Sequence, residues 1–171
     1  NLTKFDNGTI EIHYQLFPIQ DLAFRTILMF ESRLEKRNIT LEGLDSEPVQ
    51  VWGDPDLIGQ VIYNLFENAT KFVNTGGTIT FTFKDEPNST SIAIRNTGAG
   101  ISKEELPKIF ERFYKSDDSR SHDKTGLGIG LDITKHIVRL HKAQISVSSE
   151  EGEYTEFLIR LPKKDAPAES P

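Results

Sequence analysis

Four polar side chains recur at helical spacing inside an otherwise apolar stretch of the sequence. On a helix predicted for residues 55–72, with about 100° between successive residues, they fall within about 80° of one another. They are Gln60, Asn64, Asn68 and Lys71. Amide oxygens that face a cleft can ligate a hard cation, and a lysine ammonium can bind phosphate. A polar stripe is also the ordinary outer face of an amphipathic helix, so a binding surface and a solvated surface both remain open interpretations.

Two glycine-containing segments favour contact between the backbone and a ligand. The segment 96–101 follows a predicted strand directly, and its two glycines permit a sharp turn or the close approach of a ligand. The segment 124–131 opens a second long helix, predicted for about 126–141, with three glycines two residues apart. Glycine costs about 1 kcal/mol relative to alanine in a helix interior, whereas at a helix N-terminus the free N–H groups can bind an anion. Close packing of this helix on the sheet is the alternative. Neither a Walker A loop nor a Rossmann fingerprint fits the spacing.

The stretch between these segments is long and polar. Residues 97–125 are predicted to be mostly irregular, and a loop of this length in a compact domain is usually functional or mobile. Aromatic and basic residues alternate in Phe110–Lys115. We expect the aromatic rings to anchor the loop rather than to stack on nucleic acid bases, because the chain as a whole is acidic.

The composition excludes several classes of chemistry. None of the 171 residues is cysteine, so disulfides, cysteine-ligated zinc and thiol catalysis are ruled out. The net charge of −6 argues against broad electrostatic binding to nucleic acid or to an anionic membrane. No apolar stretch approaches the roughly 18 residues needed to span a bilayer. We expect a soluble, intracellular piece of a longer protein.

The hydrophobic periodicity predicts an α+β fold with a mixed sheet covered on one face. The predicted helices cover about Pro18–Leu34, Pro55–Phe72 with Asp54 as N-cap, and Gly126–His141. His136 and His141 are expected at the surface of the last helix. The predicted strands are Ile10–Leu16, Ile39–Leu41, Val49–Trp52, a hairpin over Thr78–Arg95, Gln144–Ser148 and Thr155–Leu161.

The order of the four segments is more specific than any one of them. Together they resemble the ATP-binding catalytic domain of bacterial sensor histidine kinases, in the GHKL superfamily with gyrase, the ninety-kilodalton heat-shock chaperones and MutL-type repair proteins. The N box corresponds to Gln60–Phe72, the first Gly box to Asn96–Ile101, the F box to Phe110–Lys115 and the second Gly box to Thr125–Leu131. The likeness covers about Ile10 to Leu161.

The resemblance implies a Bergerat-type fold, which is a two-layer α/β sandwich with a mixed sheet and three longer helices. It places an ATP-binding kinase domain at residues 9–163. Residues 1–8 resemble the exit from preceding dimerisation and phosphoacceptor helices, and we expect a disordered tail at 164–171.

ATP and Mg²⁺ are the implied cofactors. By position, Asn68 would ligate Mg²⁺ with Asn64 beside it, and the implied catalytic residues are Asn64, Lys71 and Arg112. A flexible lid over residues 112–125 would carry cations that close on the triphosphate. The implied cofactor-binding set is Asn64, Asn68, Lys71, Phe72, Asn96, Gly98, Gly100, Ile101, Phe110, Lys115, Arg120, Lys124, Thr125, Gly126, Leu127 and Gly128.

Asn96 and Lys124 depart from the family pattern, since the second Gly box often has a glycine where Lys124 stands, and Asn64 separates the sequence from the branches that hydrolyse ATP. The first Gly box normally opens with an aspartate that accepts a hydrogen bond from the adenine amine, and here the residue is Asn96, whose amide oxygen can also accept. The branches that hydrolyse ATP carry a glutamate at the position of Asn64. An amide there cannot activate water, which fits a kinase, where transfer depends on positioning and charge neutralisation.

None of the four histidines has the sequence context of a phosphoacceptor. The acceptor helices are therefore expected to precede Asn1. Two functions remain open: an ATP:protein-histidine phosphotransferase domain, and a nucleotide-binding or partner-binding regulatory module without transfer. The expected partners are the protein's own phosphoacceptor domain and a response regulator, with no nucleic acid. We expect a monomeric fragment of a homodimeric, membrane-anchored sensor, located in the cytoplasm.

Overall fold

A computed structural model of the protein describes residues 10–110 and 127–166, with the side chains of residues 127–129 excepted. Within these residues the chain forms seven strands and four α-helices. The strands are β1 (Gln15–Pro18), β2 (Thr40–Glu42), β3 (Gln50–Gly53), β4 (Thr78–Asp85), β5 (Ser89–Thr97), β6 (Gln144–Glu150) and β7 (Tyr154–Pro162). The helices are α1 (Ile19–Met29), α2 (Glu31–Lys36), α3 (Pro55–Phe72) and α4 (Leu127–Leu140), and a 3-10 turn covers Leu106–Lys108.

Five of the strands form one mixed sheet. Their order is β2-β4-β5-β7-β6, with β2 parallel to β4 and the other neighbours antiparallel. β1 and β3 form a separate antiparallel pair. Alternate residues of β4 and β7 are buried, namely Ile79 and Phe81, and Phe157, Ile159 and Leu161. The predicted fold class, a mixed sheet with helices on it, is confirmed.

The longest helix, α3, lies at the centre of the core. Phe66 is fully buried and stacks on Phe81 of the sheet, with ring centroids 5.6 Å apart. On its other side, Phe66 meets Phe30 edge-on at 5.5 Å. Because α3 contacts both the sheet and α1, its orientation is set from two directions.

Both ends of α3 are held by specific hydrogen bonds. At its start, the Asp54 carboxylate accepts from the backbone N–H groups of Asp56 and Leu57 at 3.0 and 3.3 Å, as the sequence predicts. At its end, the Arg37 guanidinium donates to the carbonyls of Thr70 and Val73. These carbonyls belong to the last turn, which has no partners within the helix.

Two predicted elements are wrong in extent. The strand predicted for Ile10–Leu16 is observed at Gln15–Pro18. Its partner β3 is only four residues long, so it can pair with four residues. The His13 N–H, just before the strand, donates a hydrogen bond of 3.0 Å to the Asp54 carboxylate instead. The helix predicted for Pro18–Leu34 is interrupted at Phe30, whose backbone leaves the helical conformation. This interruption lets Phe30 and Leu34 both bury their side chains.

The expected surface position of His141 is also wrong. His141 follows the last residue of α4 and is only 2% exposed. His136, one turn earlier, is exposed as expected.

Candidate nucleotide site

Asn64 joins α3 to α4. Its Nδ2 lies 3.3 Å from the Gly130 carbonyl and 3.3 Å from the hydroxyl of Thr134, which is fully buried. Its Oδ1 accepts a hydrogen bond of 3.1 Å from Gln60. Asn64 therefore links the two helices. Its oxygen has two lone pairs, of which the bond from Gln60 uses one, so the other can still bind a cation.

Asn68 lies one turn further along α3 and behaves differently. Its side chain is 7% exposed, and its Nδ2 has no hydrogen-bond partner among the described residues. An unpaired buried polar atom costs about 1–3 kcal/mol, so a partner from outside the described residues, such as a ligand, would be favourable here. The oxygen and nitrogen of an amide can exchange places by rotation, so this side chain can present its oxygen to a cation.

The oxygen ligands around Asn68 are sufficient to bind Mg²⁺ only if a nucleotide is bound as well. Mg²⁺ binds oxygen ligands and usually keeps several waters or phosphate oxygens. Among the described residues, no group of three or more histidine, cysteine or carboxylate side chains could hold a metal. A cation here would therefore need phosphate oxygens beside the amides.

Lys71 and Glu67 form an ion pair one helical turn apart. The Lys71 ammonium lies 3.8 Å from a carboxylate oxygen of Glu67, and both side chains are partly exposed. Glu67 also accepts a hydrogen bond of 3.4 Å from the Tyr63 hydroxyl. Burial, followed by the charge of Glu67, raises the pKa of Tyr63. Sequence reasoning placed Lys71 in the polar stripe but did not anticipate this pairing.

Asn96 lies near the end of β5, with its side chain 5% exposed. Its Nδ2 donates a hydrogen bond of 3.0 Å to the carbonyl of Thr97. This bond orients the amide, and it leaves Oδ1 as the atom that can accept a hydrogen bond from a ligand.

The turn after Asn96 is pressed against the end of α3. Gly98 has φ +147°, and a Cβ there would lie 2.4 Å from the Phe72 carbonyl oxygen. Gly98 also forms an isolated bridge with Val73. Gly100 has φ +73°, and a Cβ there would lie 2.5 Å from the carbonyl oxygen of Glu150. Only glycine fits either position without movement, so Gly98 brings the Asn96 segment beside the C-terminal end of α3, and Gly100 brings it beside the end of β6.

The segment that follows is attached to the sheet. The Ile101 N–H donates to the Ser149 hydroxyl at 2.7 Å. The Phe110 ring meets Phe157 edge-on, with centroids 6.2 Å apart, and the Lys135 ammonium lies 6.0 Å from the Phe110 centroid. Phe110 thus anchors the start of the loop, as expected for this aromatic.

Several predicted site residues lie outside the described residues. These are Arg112, Lys115, Arg120, Lys124, Thr125 and Gly126, together with the rest of the predicted lid. The backbone of Leu127 and Gly128 forms the first turn of α4. The first four N–H groups of a helix have no partner within it, so this turn can donate to an anion.

Sequence reasoning missed the contact between His141 and Asp54. The Asp54 N–H donates to Nε2 of His141 at 3.1 Å, while Nδ1 lies 2.9 Å from the Ile137 carbonyl. These partners assign the neutral ring with its proton on Nδ1, and burial lowers the pKa of His141. The sequence did contain a signal for the burial of His141. This residue lies four and three positions after the apolar residues Ile137 and Val138, which are buried, and residues at this spacing share one face of a helix.

Comparison with known proteins places this geometry in a family. Residues 53–165 match the family described as "Histidine kinase-, DNA gyrase B-, and HSP90-like ATPase". The sensor protein SrrB of Staphylococcus aureus is 31% identical over 166 residues, which are 96% of this chain and 28% of SrrB. The chain thus spans little more than a quarter of this relative.

Solved structures agree with the sequence matches. The catalytic domain of the histidine kinase ThkA superposes with a TM-score of 0.75 at 28% identity, covering 91% of this chain and 99% of that domain. ThkA in complex with the response regulator protein TrrA gives a TM-score of 0.74 at 25% identity, covering 95% of this chain and 46% of ThkA. No helix among the described residues is long and apolar enough to cross a membrane. The chain therefore belongs to the histidine kinase-, DNA gyrase B- and HSP90-like ATPase family, and its likeness within that family is to the catalytic domains of sensor histidine kinases.

Proposed function

We propose that this chain binds Mg-ATP and transfers the γ-phosphoryl group to a histidine on the dimerisation helices of a longer protein. The observation that carries this proposal is Asn68, a buried amide without a partner among the described residues. It lies on α3 one turn beyond the Asn64 contact with α4 and before the point where Gly98 meets Phe72. The helix start at Leu127 and the Asn96 turn therefore lie toward the same end of α3 as Asn68.

Each group at this end of α3 suits one part of a nucleotide. The amide oxygens of Asn68 and Asn64 are neutral donors for Mg²⁺, which when bound neutralises phosphate charge. Lys71 can exchange Glu67 for a phosphate oxygen, because its present ion pair is partly exposed and weak. The first turn of α4 can donate N–H groups to phosphate, and the oxygen of Asn96 can accept from the adenine amine.

The remaining roles fall on the loop before α4. We propose that Arg112, Lys115, Arg120 and Lys124 supply cations to the triphosphate, and that Thr125 and Gly126 extend the row of N–H donors. The resemblance suggests these roles, because the residues occupy the family's F box and second Gly box. Phe72, Gly98, Gly100, Ile101 and Phe110 would line the adenine side.

Transfer is favoured over hydrolysis by the side chains of α3. This helix carries two carboxylates, and Asp56 lies at its far end. The other, Glu67, is engaged by Tyr63 and Lys71. Asn64 stands where a hydrolysing relative would carry a base, and it is hydrogen bonded to α4 and to Gln60. Phosphoryl transfer to a protein acceptor needs positioning and charge neutralisation rather than a water-activating carboxylate.

The test is to mix this chain with the separately prepared dimerisation helices of its own longer protein and γ-labelled ATP. We expect Mg²⁺-dependent label on the acceptor histidine and no label on this chain alone. Nucleotide binding without any label on the helices would contradict transfer. It would support the second candidate, a nucleotide-binding regulatory module, which the replacement of aspartate by Asn96 suggests.

The proposal extends to partners and location. SrrB is a sensor protein, and ThkA has been solved with a response regulator. We propose that this chain phosphorylates a histidine of its own phosphoacceptor domain, and that this phosphohistidine then passes the phosphoryl group to a response regulator. The chain would form the cytoplasmic part of a homodimeric membrane-anchored sensor. Light scattering should give a monomer for the fragment, and a dimer once the dimerisation helices are attached.

A further inference from the structure

A second cavity lies at the opposite end of the sheet from the candidate nucleotide site. It has a volume of about 580 Å³ and opens beside Ser89, the first residue of β5. Asn96 lies seven residues further along the same strand, which corresponds to about 24 Å at ~3.4 Å per residue. The two sites are therefore separate, and the second cavity has no part in the proposed phosphoryl transfer.

Cations from three parts of the chain line this cavity. Lys142 follows α4, Arg160 belongs to β7, and Lys163 and Lys164 follow β7. No carboxylate is among the lining residues, although the whole chain has a net charge of −6. Lys163 forms an ion pair with Asp85, which lies outside the cavity, and the Lys163 ammonium is 2.5 Å from the Asp85 carboxylate. The other three form no ion pair with a described residue. Gathering like charges is unfavourable, and a bound anion would offset that cost.

The remaining lining groups complete a site for a small molecule. The rings of Tyr14 and Trp52 stack with centroids 5.3 Å apart, and the Lys164 ammonium lies 4.9 Å from the Trp52 centroid. Asn88 and Ser89 add an amide and a hydroxyl that can donate hydrogen bonds. The volume lies within the range of roughly 300–1,000 Å³ that is typical of small-ligand pockets.

We propose that this cavity binds a small multivalent anion bearing phosphate groups. The three lining cations without an ion pair inside the ranges that the structure describes, Lys142, Arg160 and Lys164, suit an anion with several phosphate groups better than an anion with a single carboxylate. The exposed stems of Lys142 and Arg160 can adjust to the spacing of the phosphates. An extended polyanion such as nucleic acid fits less well, because it would also meet the rest of a chain whose net charge is −6.

The single tryptophan of the chain makes this proposal directly measurable. Trp52 lies in the cavity wall, so its fluorescence reports on binding there. We would titrate the full chain with inorganic tripolyphosphate, without Mg²⁺, and expect a saturable change in the emission of Trp52. The double variant Lys142→Ala/Arg160→Ala should bind at least tenfold more weakly. Arg25→Ala/Lys36→Ala is the matched control, since it removes the same two charges at exposed positions outside the cavity.

A second titration separates free phosphate chains from phosphorylated aromatic metabolites. If a nucleoside 3′,5′-bisphosphate binds more tightly than tripolyphosphate, the aromatic rings of Tyr14 and Trp52 contribute to binding. If it binds equally or more weakly, the cavity recognises the phosphate groups alone. Equal affinity in the cavity variant and the control would overturn the proposal, as would an identical response to sodium chloride of the same ionic strength. Lys71→Ala, which removes a proposed phosphate contact of the nucleotide site that needs no metal, should leave the Trp52 response unchanged. Its loss would mean that the signal arises from the nucleotide site, which overturns this proposal without touching the proposed kinase function.

Discussion

The backbone N–H of Asp54 donates a 3.1 Å hydrogen bond to Nε2 of His141, which joins the start of α3 to the end of α4. Asn64 joins the same two helices again, ten residues or about 15 Å further along α3. The helices therefore run antiparallel and are held together at one end and in the middle. Their other ends carry Asn68 and the glycine-containing start of α4. The separation of the helices at the candidate nucleotide site is thus set by Asn64 within the site and by the contact between Asp54 and His141 far from it.

The buried imidazole of His141 should make stability pH-dependent. Burial lowers the pKa of His141 in the folded state below its usual value near 6.5. The unfolded chain therefore binds more protons than the folded chain between these two values. The free energy of unfolding should consequently fall as the pH drops through about 6.5, by at most about 1.4 kcal/mol per pH unit from this one group.

Urea denaturation between about pH 5 and pH 7.5 measures this dependence. His141→Gln keeps a neutral acceptor for the Asp54 N–H and should flatten the profile over this interval. His136→Gln is the control, since it makes the same change at an exposed position of the same helix. A flattened profile in the control, or an unchanged profile in His141→Gln, would contradict the assignment.

Asn64→Ala and Asn68→Ala should differ in the absence of nucleotide. Asn64 makes hydrogen bonds to α4 and to Gln60, so its loss should lower the free energy of unfolding by about 1–3 kcal/mol. The Nδ2 of Asn68 has no partner within residues 10–110 and 127–166, so Asn68→Ala should cost less than about 1 kcal/mol. Thermal or urea unfolding of both variants checks this order, and the reverse order would show that Asn68 is the packing residue.

Asn68→Ala should lower the affinity for nucleotide when Mg²⁺ is present. We expect it to weaken binding of a magnesium–ATP analogue much more than binding of metal-free adenosine, because in the proposed site the amide oxygen would contact the metal rather than the base. Calorimetric titration with and without Mg²⁺ measures both affinities. Equal losses for the two ligands would exclude a metal-ligand role.

Asn96 should act through its oxygen. Asn96→Asp keeps that oxygen but loses the hydrogen bond from Nδ2 to the Thr97 carbonyl, so we expect ATP affinity to be retained or improved at some cost in stability. Asn96→Ala removes the acceptor and should weaken ATP binding by about 1–3 kcal/mol.

The amide of Asn96 also bears on base selectivity. Its NH₂ can turn toward the guanine carbonyl, so ATP should be preferred over GTP less strongly in the natural protein than in Asn96→Asp. Titration of both nucleotides against all three proteins checks this. If Asn96→Ala binds ATP as well as the natural protein does, Asn96 does not contact adenine.

Gly98→Ala should destabilise the fold and the site together. The new Cβ would lie 2.4 Å from the Phe72 carbonyl oxygen, and φ of +147° is rarely adopted by other residues. A loss of more than about 2 kcal/mol in the free energy of unfolding is expected. Gly152→Ala is the control, because Gly152 also has a positive φ (+83°) but has nothing within 4 Å of the added Cβ. If the two variants lose the same free energy of unfolding, the positive φ, and not the close approach to α3, makes glycine necessary at position 98.

Local sequence patterns determined most of the elements of this protein. The alternation of Ile79, Phe81 and Phe83 marks a strand, and the Asp54-Pro55 pair marks the start of α3. Both signals depend on residues adjacent along the chain. The order of the four motifs was likewise enough to identify the family, which the match over residues 53–165 confirms.

Only the tertiary structure decided which side chains are buried and which partners they contact. Asn64 and Asn68 are equivalent in the helical pattern. In the described part of the chain, however, the Nδ2 of Asn64 has a partner 70 residues away on α4, and the Nδ2 of Asn68 has none. His141 is buried because its ring accepts from a backbone N–H 87 residues away. Lys142 and Arg160 line one cavity because β6 turns back into β7. Such contacts depend on the packing of distant segments, and a periodicity read over one or two helical turns contains no information about them.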